Sequence, residues 1–125
     1  SSDGVGYDFS AKKTNDLPHP RSFGTFPRAI SQLVKKKGIM TLETMISKMT
    51  GLPAHILGIK DRGTIEKDKK ADLVVFDEGL MEDTATYEKP FASPPGIQYV
   101  FVNGQAVISS GKATGLLPGK ALRNR

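Results

Sequence analysis

A chain of 125 residues has room for one buried core, or for one core with a small annex. At 38% hydrophobic and 25% charged, with no apolar run near the ~20 residues that a membrane helix needs, the composition excludes a membrane-spanning helix and wholesale disorder. The absence of Cys excludes disulfides and thiolate chemistry from this chain. The net charge of +5 is only mildly gathered: residues 1–58 hold eight basic and four acidic side chains, and residues 59–125 hold ten and nine. Its densest run, Lys35 to Lys37, reads as a solvated helix end that complements the helix dipole. Without Trp, and without aromatics interleaved among the basic residues, no nucleic-acid surface is expected. The opening Ser1-Ser2-Asp3-Gly4 has neither an initiator Met nor the basic-then-apolar start of a signal peptide. It reads as a processed end or a piece of something longer, and the expected location is cytoplasmic.

Residues 1–24, with Gly4, Gly6, Pro18, Pro20 and Gly24, read as an irregular segment. A first helix is expected from the cap Thr25, with Pro27 in its first turn, Phe26, Ile30, Leu33 and Val34 on one face, and Gly38 as its stop. A second helix follows the cap Thr41, carries Leu42, Met45, Ile46 and Met49 toward the core, and ends at Gly51. Pro53 opens a third, short helix that ends at Gly58. The period then becomes strand-like. Gly63-Thr64-Ile65 reads as a short strand, Lys67 to Lys70 as a turn, and Ala71 to Asp77 as a strand rich in β-branched residues. Residues 78–97 hold Pro90, Pro94, Pro95 and Gly96 and read as an excursion. Tyr99 to Val102 and Gln105 to Ile108 flank Asn103-Gly104, the dipeptide that best accepts positive φ at both centres of a type I′ hairpin. The tail from Gly111 reads as irregular, with Arg123 and Arg125 solvated. Helices first and strands second indicate an α+β chain with a boundary near residues 58–62.

The residues by themselves name no reaction. His19, between Pro18 and Pro20, reads as a loop residue, and His55 as a helix surface or core-edge residue. Two imidazoles are too few for a dedicated zinc site, which takes three or four ligands. Gly4-Val5-Gly6 lacks the spacing and the Lys of a phosphate loop.

Several segments taken together carry a resemblance. Ser2-Asp3-Gly4, Pro18-His19-Pro20-Arg21-Ser22-Phe23-Gly24-Thr25-Phe26-Pro27-Arg28, Met49 to Ala54, Leu57 to Gly63, Ala71 to Asp77 and Val102-Asn103-Gly104 occur in this order over nearly the whole chain. Together they resemble the C-terminal part of the D-aminoacylase, or N-acyl-D-amino-acid deacylase, family of the amidohydrolase superfamily. Where that family has a glycine in the turn before the A-D-L-V-V strand, this chain has Asp68, a residue that tolerates left-handed backbone. Ala113 stands where the family has a His, and the stretch from Asp3 to Arg21 is longer than the family's.

The resemblance implies an architecture and a chemistry. Residues 1–58 would be the end of a (β/α)8 barrel, and residues 59–125 part of a small β-sandwich. The parent would be a metal-dependent hydrolase that uses zinc to cleave the amide of a small N-acyl-D-amino acid. Asp3 would be its catalytic general base and acid. Arg21 would clamp the substrate carboxylate, its planar fork suiting bidentate pairing, and His19 would be a further substrate-binding residue. The metal ligands of the family lie upstream of these motifs, so no metal site and no activity are expected from this chain alone. Two alternatives stand beside this reading: a cyclic-amide hydrolase like the hydantoinases or dihydroorotases, and a non-catalytic β-rich binding module. Strands that lack part of their sandwich are also expected to expose apolar edges and to self-associate.

Overall fold

The computed structural model describes residues 2–7 and 17–122. Its elements follow the expected order, helices and then an antiparallel sheet, so the chain is α+β. Helix α1 (Arg21–Ala29) runs directly into a wider, π-helical stretch over Ile30–Lys36. Helices α2 (Leu42–Met49) and α3 (Gly51–Ile56) follow, and strands β1 (Leu73–Phe76), β2 (Ile97–Val102), β3 (Gln105–Ser109) and β4 (Lys112–Ala113) form a meander in the order β1-β2-β3-β4. Among the described residues no helix is long and apolar enough to cross a membrane.

The first helix begins four residues before Thr25. Pro20 already has helical dihedrals and its carbonyl accepts from the amides of Phe23 and Gly24, both at 3.0 Å, so the helix is nucleated by the H-P-R segment. Thr25 is no cap; its hydroxyl donates back to the Arg21 carbonyl at 2.8 Å. Pro27 therefore sits inside the helix, where its missing N–H leaves the Phe23 carbonyl without an i+4 partner. One turn later the bonding widens to i+5, as in Lys37 N–H to Gln32 O at 3.0 Å. Gly38, at φ +58°, ends the stretch as expected. Thr41 caps α2, its hydroxyl accepting from Thr44 N–H at 3.3 Å. In that first turn Glu43 is held below the usual carboxylate range, chiefly by its own backbone N–H and then by Thr41. Gly51 starts α3 rather than ending α2, which puts Pro53 at the third helical position.

The strand expected at Gly63-Thr64-Ile65 does not form. Gly63 adopts φ +92° and lies so close to α3 that a Cβ there would come within 2.5 Å of the Ala54 Cβ. Its backbone is thus spent on a tight approach rather than on pairing. Asp68 is left-handed at φ +67°, as its place in the polar turn requires. The hairpin prediction matches the structure: Asn103 and Gly104 have φ +48° and +81° between β2 and β3. A second turn of the same kind, Ser110-Gly111 at φ +48° and +75°, adds the two-residue strand β4 to what the sequence presents as tail. Arg123 and Arg125, expected to be solvated, lie outside the described residues.

Ile30, Met45 and Met81 form the buried centre, ringed by Leu33, Val34, Ile46, Met49, Phe76 and Ile97. Met45 and Met49 are packing residues, as expected. Met81, only 2% exposed, comes from the excursion, which is therefore part of the core. The lysine run is what docks it: Lys35 Nζ donates to the carbonyls of Gly79 (2.8 Å) and Met81 (3.2 Å), and Lys36 pairs with Glu82 at 2.6 Å. These two side chains fasten a loop instead of projecting freely into solvent.

The Lys36 hydrogen bond, reinforced by its charge and by that of Lys35, lowers the Glu82 carboxyl below its ordinary value. A lowered folded value means that the contact stabilises above the unfolded glutamate range and is lost as pH falls through the folded value. In an NMR titration, the Glu82 carboxyl is expected to titrate below an unperturbed glutamate, and Lys36→Met to bring it back. A midpoint unmoved by that substitution would remove Lys36 as the cause.

Candidate functional site

The N-terminal residues 2–7 run against the start of α1. Val5 N–H donates to Ser22 Oγ at 3.3 Å, and the Asp3 carboxylate meets the Arg21 guanidinium at 2.8 Å. Asp3 holds φ +50°, a left-handed conformation that a short polar side chain tolerates. Both partners are exposed, with 79% of the Asp3 and 46% of the Arg21 side chain open to solvent. In water such a pair stabilises by at most about 1 kcal/mol, so either group can exchange its partner for a ligand at little cost.

Beside this pair lies an aromatic cluster. Tyr7 stacks on Phe23 with ring centroids 5.8 Å apart, and Phe91 meets both rings edge-on at 5.6 and 5.5 Å. Tyr7 and Phe23, with Val5, Ser22, Pro94 and Ile97, border an open, mainly apolar cleft of about 430 Å³ that reaches toward β3 and β4. His19 accepts at Nδ1 from Arg21 N–H at 3.1 Å, and its Nε2 lies 3.1 Å from the Tyr87 hydroxyl. The three residues singled out in the sequence, Asp3, His19 and Arg21, are therefore joined directly: Asp3 to the Arg21 side chain and His19 to its backbone.

Gly24 is there for Asp83. The Asp83 carboxylate, 8% exposed, is pressed so closely against the helix that a Cβ at position 24 would sit 2.0 Å from its Oδ1. Asp83 also accepts from Ala85 N–H at 3.0 Å and faces Arg28 at 3.6 Å. The G-T-F-P-R part of the motif thus binds the excursion as well as forming a helix.

The other motifs converge on a second polar cluster, at the opening of the hairpin. Arg62 Nη1 is paired with Asp72, whose other oxygen accepts from Asn103 N–H at 2.8 Å. Arg62 Nη2 reaches Asn103 Oδ1 at 3.4 Å, and Asn103 Nδ2 donates to Pro118 O at 2.8 Å. One residue each from D-R-G, A-D-L-V-V and V-N-G is therefore a structural lock. The sequence placed Asn103 only in the hairpin turn, and it gave Arg62, Asp72, Asp83 and Tyr87 no role. The first three stood in quoted motifs, which was the available signal; nothing local marked Tyr87 or Asp83.

The fold and site together define an α+β segment with an exposed acidic–basic pair, Asp3–Arg21, whose neighbours in the chain, Val5 and Ser22, border an open apolar cleft. The chain belongs to the amidohydrolase family, whose model matches residues 14–108. It is 41% identical over 121 residues to a D-aminoacylase of Alcaligenes xylosoxydans xylosoxydans, covering 97% of this chain and 24% of that protein. A crystal structure of D-aminoacylase, described as defining a novel subset of amidohydrolases, superposes with a TM-score of 0.76 at 44% identity, over 80% of this chain and 21% of that one. The N-acyl-D-glutamate deacylase of Bordetella bronchiseptica, solved with zinc and a phosphonate mimic of the tetrahedral intermediate, superposes at 0.71 with 38% identity, over 78% and 21%. The chain spans about a quarter of the length of the curated relatives it matches.

Proposed function

We propose that this chain is the C-terminal part of an N-acyl-D-amino-acid deacylase, which hydrolyses the amide of a small N-acyl-D-amino acid to a carboxylate and a free D-amino acid. The observation that carries the reading is the Asp3–Arg21 pair, held by the segment whose motif resembles that of the deacylases. In this reading Asp3 is the general base that takes a proton from the attacking water and then, as general acid, gives it to the leaving amine. Arg21 binds the substrate carboxylate, with His19 beside it, and the apolar cleft accepts uncharged parts of the substrate. Residues 1–58 close a barrel and residues 59–125 contribute to a small sandwich. The location is cytoplasmic.

The zinc of the related deacylase does not fit the groups present here. Among the described residues no three His, Asp, Glu or Cys side chains gather into a possible metal site, and both nitrogens of His19 are engaged. The surface also matches a partial domain. Val74 and Val75, on opposite faces of β1, are 54% and 45% exposed.

The test is to compare this chain with a complete enzyme that carries it, measuring N-acetyl-D-amino-acid turnover, zinc stoichiometry and sedimentation. The expected result is turnover and bound zinc only in the complete enzyme, and concentration-dependent association of the chain alone. Turnover with stoichiometric zinc in this chain, or none in the complete enzyme, overturns the reading.

A further inference from the structure

Tyr87 lies in the excursion, 68 residues beyond His19, and is 69% exposed, so it is no core residue. Its ring nevertheless meets His19 edge-on with centroids 5.1 Å apart, and its hydroxyl oxygen is 3.1 Å from His19 Nε2. On the other side of the imidazole, the Arg21 backbone N–H points at Nδ1 at 3.1 Å. A backbone amide can only donate, so Nδ1 carries a lone pair and the proton of the neutral ring is on Nε2. Nε2–H in turn donates to the Tyr87 oxygen. The opposite arrangement, Tyr87 O–H donating to Nε2, would put the proton on Nδ1 and break the bond to Arg21. Buried Pro18 and Pro20 fix the backbone on both sides of the ring.

We propose that Tyr87 is a positioning residue for the substrate carboxylate. By accepting from Nε2–H it holds His19 in the Nε2–H tautomer, and through Nδ1 it holds the first residue of α1, so that the Arg21 guanidinium is presented in one place. What Arg21 binds rests on the deacylase reading; the tautomer and its two hydrogen bonds do not.

Two measurements decide it. In the 15N-labelled chain, long-range 1H–15N correlations of His19 are expected to show a protonated Nε2 and a bare Nδ1, with the preference lost in Tyr87→Phe. In the complete enzyme, Tyr87→Phe is expected to raise KM for an N-acyl-D-amino acid about three- to tenfold while kcat changes less than about twofold, as loss of uniform binding requires. His19→Leu is expected to raise KM at least as much. In His19→Asn, the side-chain oxygen can accept the N–H two residues on, and it is expected to recover most of the difference. A protonated Nδ1 overturns the proposal. So does a Tyr87→Phe enzyme in which kcat and thermal stability fall together, because that is the mark of a merely structural residue. If the wild-type enzyme cleaves no N-acyl-D-amino acid, it is the deacylase reading that has failed, and the NMR result alone decides the His19–Tyr87 arrangement.

Discussion

Replacing Asp3 by Asn in the complete enzyme is expected to lower kcat by about 10²–10⁴-fold, the usual contribution of a positioned proton-transfer group. The substitution is a clean one at this position. Asn is nearly isosteric with Asp, and like Asp it tolerates the left-handed φ of +50° found here, so the backbone at residues 2–7 has no reason to move. What is lost is the capacity to take and return a proton, together with the ion pair to Arg21. That pair is exposed and contributes at most about 1 kcal/mol, a factor of about five, which cannot account for a loss of two or more orders of magnitude. The measurement is kcat from release of free D-amino acid, with zinc content and thermal midpoint determined on the same samples. A loss of less than about tenfold at unchanged metal content would leave proton transfer to another group and reduce Asp3 to a partner of Arg21.

The largest effect on stability is expected at the hairpin lock, where Asp72→Ala should cost about 2–4 kcal/mol. Asp72 serves two donors, the Arg62 guanidinium and the Asn103 backbone N–H. Its removal takes the nearest carboxylate from a guanidinium that is only 16% exposed and keeps just the longer contacts to Asp61 and Asn103, each at 3.4 Å, and it leaves Asn103 N–H without the contact that accompanies its positive φ. The figure is set below that for a fully buried pair because Asp72 is itself 29% exposed. Against a total of about 5–15 kcal/mol for an ordinary domain, such a loss is severe. Urea unfolding followed by circular dichroism measures it. The double variant Arg62→Leu/Asp72→Ala is expected to be less destabilised than the sum of the single changes, since both single changes remove the same Arg62–Asp72 contact. Strict additivity would show that the two side chains do not act as a unit.

Asp3 and Asp72 differ in how far the sequence alone reveals their partners. Asp3, His19 and Arg21 could be singled out in the sequence because they stand in motifs that resemble a known family, and the structure joins all three. Asp72 and Asn103 also stood in motifs, yet no local pattern says that they bond to each other. They are 31 residues apart, and only the antiparallel pairing of β1 with β2 brings Asp72 beside the hairpin. Tyr87 was further out of reach. It sits in a Pro-rich excursion with no periodicity to place it, and its partner is fixed by Lys35, Lys36 and Met81 docking that excursion on the helices.

Local chemistry is what the sequence determined by itself. The Asn103-Gly104 turn, the Thr41 cap, the Gly38 stop and the left-handed Asp68 each depend on the conformational preferences of one or two residues, and those act before any tertiary contact forms. The helix-then-sheet order followed from the change of hydrophobic period for the same reason. Tertiary structure decided the rest. It started α1 at Arg21 because the prolines of the H-P-R segment are buried there, and it denied a strand to Gly63-Thr64-Ile65 because Gly63 is needed against α3. It also turned the lysine run into a clamp and a polar loop into part of the core. In each case the energy that decides comes from burial and from pairing between distant segments, which composition and spacing do not encode.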